Sequence, residues 1–340
     1  MARTVADHDG CAGGDSSDAA RRPRRSRGAA SVRLGAVSLT FGEIAQAVRG
    51  EGDPTAVAIV RHLRIPRAIV AALVGAALAT SGATFQALLR NPLAEPYILG
   101  VSGGAAVGAV GAIVLGWSAA AAWSVPAAAF AGAIFAILLV LRIAVSVGRS
   151  LDTAVLLLAG VVAGSFFNAC ILVALTFTEA ESFRSAIFWM MGSFAGASWT
   201  SAGIFALYFV PALLVLTALA RPLNLMAIGE ETAAYLGAPV ERVKLIAYAT
   251  ASLLTAAAVA VAGVIGFVGL IIPHIVRLAW GGDYRFLLPA SALLGAAFLA
   301  CADAVARIAV APTELPVGVV TAFVGVPFFV WLLRTRSVRA

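Results

Sequence analysis

The side chains able to do chemistry are few and widely separated. His8, His62 and His274 stand too far apart to gather around a metal, and Cys11, Cys170 and Cys301 make neither a disulfide framework nor a metal-ligand spacing. These cysteines are expected as small buried apolar side chains. The only lysine, Lys244, lies in Glu241-Arg242-Val243-Lys244-Leu245 with no glycine-rich loop before it, so the chain should not bind or hydrolyse ATP through a Walker A loop. Asp303 is the one carboxylate deep in an apolar run, and Arg307 follows one helical turn later. Opposite charges four residues apart on a helix neutralise each other, which favours a structural pair over a proton-coupling site. His274, in Gly269-Leu270-Ile271-Ile272-Pro273-His274, reads as part of a helix-breaking turn with a hydrogen-bonded imidazole, ahead of a ligand or proton-relay role. No catalytic residue, metal site or cofactor site is expected.

The elements that carry these residues are apolar. The apolar class makes up 61% of the 340 residues, charged residues 12%, and mean hydropathy is +0.97. Soluble chains are about 25% charged, so lipid is the natural solvent here. A helix crossing hydrocarbon needs roughly 20 apolar residues. Nine candidate spans follow: 68–89, 101–115, 125–145, 154–176, 202–219, 243–262, 264–280, 287–305 and 317–333. Pro273, His274 and Arg277 interrupt the seventh. Runs such as Gly75-Ala76-Ala77 and Gly103-Gly104-Ala105 let membrane helices approach closely, which argues for a compact bundle. The fold class is therefore an all-α polytopic membrane protein. Its parts are a polar Arg-rich segment at 1–33, an external segment at 34–67, and a membrane domain at 68–340 holding a long polar interval at 221–242.

Basic residues set the orientation. With the C-terminus cytoplasmic, eleven basic residues between Arg90 and Arg339 face inward and five (Arg61, Arg64, Arg67, Arg184 and Arg307) face outward, as the positive-inside rule favours. The net charge of +7 fits basic cytoplasmic loops, and no basic patch interleaved with aromatics points to nucleic acid. Nine spans would leave the N-terminus outside, yet Arg21, Arg22, Arg24, Arg25 and Arg27 form a cluster that belongs inside. No apolar signal-peptide core precedes it. Either one of these readings is wrong or a first span is missing.

Three stretches could carry function. In the polar interval, residues 229–237 form either a short helix, opened by Gly229 and closed by Gly237, or a surface loop. Glu230 and Glu231 would sit in its first turn, where the helix dipole favours negative charge. Such a helix, held below the bilayer, suits a docking partner. Arg61-His62-Leu63-Arg64-Ile65-Pro66-Arg67 lies at the external mouth of the first span. Pro66 suits a helix start, and the arginines could pair with carboxylates of a docking protein or snorkel at the interface. The third is Arg90-Asn91-Pro92-Leu93-Ala94-Glu95-Pro96-Tyr97, a rigid connector before the next span.

Together these segments resemble the FecCD-type permeases, subunits of type II ABC importers for iron-siderophore complexes, haem or cobalamin. The resemblance rests on Arg64-Ile65-Pro66-Arg67, Arg90-Asn91-Pro92-Leu93-Ala94-Glu95-Pro96 and Leu99-Gly100-Val101-Ser102-Gly103-Gly104-Ala105. It also rests on Gly229-Glu230-Glu231, Gly266-Phe267-Val268-Gly269-Leu270-Ile271-Ile272-Pro273-His274 and Glu314-Leu315-Pro316-Val317-Gly318. It implies ten spans, the type II importer permease fold, and a homodimer in the bacterial inner membrane. Two ATPase subunits would dock below and a periplasmic binding protein above. By motif match, Gly229, Glu230, Glu231, Ala233, Leu236 and Gly237 would form the helix that couples to the ATPase. Arg64, Arg67 and Arg307 would pair with glutamates of the binding protein, and the pore would lie near the fifth and tenth family spans. The first family helix has no counterpart, consistent with a misassigned, frameshifted or degenerate start. An iron chelate is ranked first as substrate, cobalamin second, and an ion-coupled secondary transporter is the rival from another class.

Overall fold

The computed structural model describes residues 39–147, 152–310 and 313–337. The expectations for residues 1–33, including the missing first span, lie outside these. The described residues form helices and connections without a strand. In order they are α1 (Phe41–Arg49), α2 (Pro54–Ala58), a π-helical turn (Ile59–Arg64), α3 (Ile65–Leu88), α4 (Val101–Val114), α5 (Trp117–Ala120), α6 (Ser124–Val147) and α7 (Thr153–Thr176). Then come α8 (Ala180–Met190), α9 (Trp199–Ala218), α10 (Ala220–Ile228), α11 (Glu230–Tyr235), α12 (Val240–Ala262), α13 (Val268–Trp280), α14 (Tyr284–Ile308) and α15 (Val317–Ser337).

All nine expected spans are helical, but they are not equal. Among the described residues, six helical stretches are long and apolar enough to cross a membrane: Pro54–Leu88, α6, α7, α9, α12 and α14. The other three, α4, α13 and α15, contain shorter apolar helices. With 14 and 13 residues, α4 and α13 rise only about 20 Å, short of the roughly 30 Å hydrocarbon core.

Helices α1, α2, α5, α8 and α10 have no counterpart in the pattern reading. Residues 39–58 carry α1 and α2, and α1 is announced by a capping box in which Thr40 and Glu43 bond each other's backbone amides. Between the fourth and fifth spans, α8 forms. The polar interval 221–242 contains α10 as well as α11, with Leu223 and Met226 of α10 buried three residues apart.

Helix α3 is the axis of the bundle. Its span is 78% buried, against 22% for α9 and 33% for α6 and α7, which leaves the latter three to face lipid or another subunit. It packs against α9, α12, α13 and α14. The contacts are close because glycines meet across the crossings. A Cβ on Gly75 would strike the carbonyl oxygen of Gly295 in α14, and one on Gly82 would strike that of Gly269 in α13. Helices α4 and α6 approach in the same way through Gly104 and Gly132. Hydroxyls at the same level are satisfied locally: Thr80 and Thr84 bond carbonyls four residues back, and Ser81 bonds Ala251 of α12 at 3.1 Å.

The seventh span departs most from expectation. His274 is not in a turn; it is buried inside α13, its ring edge-on to Phe328 of α15 at 6.4 Å. The chain breaks earlier, at 263–267, where Gly263 and Phe267 both have left-handed backbone (φ 72° and 70°). Pro273 lies within the helix and has no N–H to give the Gly269 carbonyl. Gln86 of α3 supplies one, its Nε2 reaching Gly269 O at 3.3 Å, while its Oε1 accepts from Arg277 at 3.1 Å. Pro66 also proves internal, because α3 continues the helix from Pro54; the wide π turn just before it takes up the crowding of the proline ring. Cys170 is half-buried and Cys301 exposed, rather than buried.

Glycines at crossings and glycines in open positions should respond oppositely to a methyl group. Gly82→Ala should cost about 3 kcal/mol, because backbone must move to admit it. Gly111→Ala, with nothing within 4 Å of its Cβ, should be neutral or stabilising by up to about 1 kcal/mol. Thermal unfolding of the purified protein in detergent measures both.

Candidate functional site

The end of the bundle expected to face the cytoplasm is built on α10 and α11. Gly229 joins them in a conformation open to glycine (φ 159°). Gly237 (φ 83°) ends α11: its N–H donates to Ala234 O and that of Ala238 to Ala233 O, both at 2.9 Å. The expected helix therefore exists, with both glycines in their assigned roles. Its faces differ. Ala233 is fully buried, which makes it the helix's seat rather than part of a contact surface. Glu230 turns back to Lys244 of α12, Nζ donating to Oε2 at 3.0 Å, with the lysine almost wholly buried. Glu231, Leu236 and Tyr235 are left facing water, Tyr235 at 92% exposure. Tyr235, absent from the sequence-derived set, is the most exposed large side chain of the helix.

Helix α10 is tied to the same face. Asn224 donates to Asp283 at 2.7 Å and accepts from the Tyr284 amide at 2.9 Å. Asp283 also caps α14 through the Arg285 amide, and these two donors hold its carboxyl below the usual carboxylate range. A depressed pKa places its contribution above that range, lost as pH falls through the folded value.

The opposite end, expected to face outward, gathers charges from three elements. Asp303, 1% exposed, lies between two arginines. Arg67 of α3 bonds it through Nε and Nη2 at 3.0 and 2.8 Å, and Arg307 of α14 approaches it at 3.2 Å. Arg67 Nη1 also donates to Glu314, before α15, at 2.9 Å. Arg64 stands near enough to Arg307 to feel its charge. So Arg67 and Arg307, two of the three expected docking residues, converge on Asp303, and the expected Asp303–Arg307 pair forms. They are not a bare exposed rim, because Arg67 and Arg307 are engaged within the chain and mostly buried. Arg61 is engaged elsewhere, its guanidinium bonding Val48 O at the end of α1 and its carbonyl accepting from Trp199 Nε1.

Between the faces lies a junction of non-helical backbone. Glu95 accepts the Phe267 amide at 2.7 Å, and Tyr97 Oη donates to Ile265 O and accepts from its N–H. On the other side, Ser193 N donates to Ala262 O, and the amides of Val317 and Gly318 donate to Gly192 and Met191. Beside it opens an apolar cavity of about 560 Å³, lined by Met190 and Met191, Val264, and Ala322, Phe323 and Val326 of α15.

The chain matches the FecCD transport family over residues 28–335. It is 48% identical over 286 residues to the cobalamin import system permease protein BtuC of Halobacterium salinarum, covering 84% of this chain and 76% of that one. It is 45% identical over 281 residues to the vitamin B12 import system permease protein BtuC of Escherichia coli, covering 83% and 85%. Its fold resembles a solved inward-facing conformation of an ABC transporter assigned to the metal-chelate type, with TM-score 0.78, 30% identity, and 87% and 98% of the two chains covered. With a family match over residues 28–335 and membrane-length apolar helices throughout the described residues, the conclusion is plain: the chain belongs to the FecCD transport family, as a multi-pass membrane permease of ABC-transporter type.

Proposed function

We propose that the chain is the membrane-spanning permease of an importer for cobalamin in the bacterial inner membrane, powered by a separate ATPase. The observation that carries the substrate is the identity of 45–48% to permeases named for cobalamin import. This reverses the earlier ranking, which put iron chelates first on their breadth of occurrence in the family and not on any residue. Nothing in the motifs separates the two cargoes, because both are bulky and selection falls largely to the binding protein.

The working cycle follows from the two faces. A binding protein of opposite charge docks over the Arg64, Arg67 and Arg307 cluster and delivers its cargo to the path beside α8 and α15. A second copy of the chain completes that path. ATP binding draws two ATPase subunits together under α11, whose Glu231, Tyr235 and Leu236 face the cytoplasm. The helices then exchange between outward- and inward-open populations, driven by the differential affinity of the two states for ATP. The permease itself makes and breaks no covalent bond.

Uptake of labelled cyanocobalamin tests the substrate, in cells lacking their own cobalamin permease and expressing this chain with its ATPase and binding protein. Uptake above vector, with no uptake of a ferric siderophore, is the expected result; the converse would restore the iron reading. Tyr235→Asp with Leu236→Asp should leave the protein inserted but lower ATPase co-purification and uptake by about tenfold or more, since aromatic anchors dominate such contacts. Lys244→Met should act from the far side of the helix, leaving Glu230 without its cation, and reduce uptake by about three- to tenfold. Glu230→Gln in the same background should recover part of that loss.

A further inference from the structure

The external charge cluster contains a carboxylate that the docking reading does not use. We propose that Glu314 is an internal competitor: in the undocked permease it occupies the place on Arg67 that a carboxylate of the binding protein takes, and its release passes docking on to α15. This rests on the importer reading above.

The argument begins with the guanidinium. Its planar fork offers two edges, and only one can change partner. The edge formed by Nε and Nη2 grips Asp303, which is 1% exposed and also pairs with Arg307. A doubly engaged, buried carboxylate is costly to withdraw. The Nη1 side holds Glu314 at 2.9 Å, and that carboxylate is 45% exposed at the aqueous rim. With Glu314 45% exposed against 1% for Asp303, this is the less desolvated of the two Arg67 pairs and the more readily exchanged. An incoming acidic side chain can therefore reach Arg67 where Glu314 sits, but not where Asp303 sits. Charge argues the same way. Arg64, Arg67 and Arg307 against Asp303 and Glu314 leave one net positive charge, and removing Glu314 leaves two.

The position of Glu314 gives exchange a consequence. Leu315 donates its amide to Ala306 O of α14, beside Arg307, at 3.0 Å. Pro316 then fixes the turn, and the amides of Val317 and Gly318 hang on Gly192 and Met191 at 3.0 and 3.1 Å. Gly318, Met190 and Met191 border the apolar cavity. Two residues, Leu315 and Pro316, thus separate the exchangeable ion pair from the start of the helix that borders the cavity. Freeing Glu314 removes one of the few tethers on that start.

The test uses the complete permease–ATPase complex in lipid nanodiscs and the purified cobalamin-binding protein. Two quantities are read: the dissociation constant of the binding protein, and the ratio of ATPase rates with and without it. Glu314→Gln keeps the shape and removes the charge. It should tighten binding by about two- to fivefold, the worth of an exposed pair, while the stimulation ratio falls by at least about half, because docking no longer changes the tether. Asp303→Asn should instead weaken binding by about tenfold or more, since the arginines lose the group that positions them. Unchanged or weaker binding by Glu314→Gln overturns the competitor. Tighter binding with an undiminished ratio overturns the link to α15. If the wild-type complex fails to bind the protein at all, the importer reading fails with it, and the two failures are told apart.

Discussion

Everything in this fold depends on how closely other helices can approach α3. In lipid no hydrophobic force drives helix against helix, because the hydrocarbon outside is as apolar as the bundle inside. What remains is van der Waals contact, and it is collected only where surfaces come near enough. Gly75 against Gly295 and Gly82 against Gly269 bring α14 and α13 into backbone contact with α3. That approach puts Gln86 within reach of Gly269, Leu270 and Arg277. It also brings Arg67, near the outer end of α3, to Asp303 on α14. The external charge cluster is thus a product of the same crossing that builds the core.

The second constraint is backbone satisfaction. Unwound chain survives inside a membrane protein only where protein groups replace the lost helical bonds. At 263–267 the replacements are Glu95 and Tyr97, which explains why Arg90-Asn91-Pro92-Leu93-Ala94-Glu95-Pro96-Tyr97 is more than a connector. Its rigid prolines aim two side chains at a break in another helix some 170 residues away in the chain. The break in turn leaves the Ala262 carbonyl for the Ser193 amide just past α8, and the carbonyls of Met191 and Gly192 hold the start of α15 beside the apolar cavity.

Much of this was legible from residue order. Apolar length located the spans, and the two glycines around Glu230 and Glu231 located α11. The i, i+4 spacing of Asp303 and Arg307 announced their pair. Motif resemblance brought Arg64, Arg67 and Arg307 onto one face, which no local pattern could do. What stayed hidden was set by distant partners. Glu230 has the look of a surface acid until Lys244 is seen folded beneath it. The break in the seventh span is hard to place because Pro273 is the conspicuous helix breaker, whereas its missing donor is replaced from α3 and the real break needs a left-handed Phe267 that nothing local announces. Thr40 and Glu43 do announce α1, but a search for apolar length passes over them.

The π turn at Ile59–Arg64 sits between two kinds of residue. Below it, Arg67 and the rest of α3 are locked by helix crossings; above it, α1, α2 and Arg61 pack as a separate small cluster on Trp199. A π turn is an α-helix carrying one residue more than its bonds require. A change of one residue here is therefore absorbed within the turn. Losing the extra residue would restore ordinary α geometry and leave the elements above it near their present orientation, while the ion pairs below keep their register. The turn thus isolates the charge cluster from the length of the chain that precedes it.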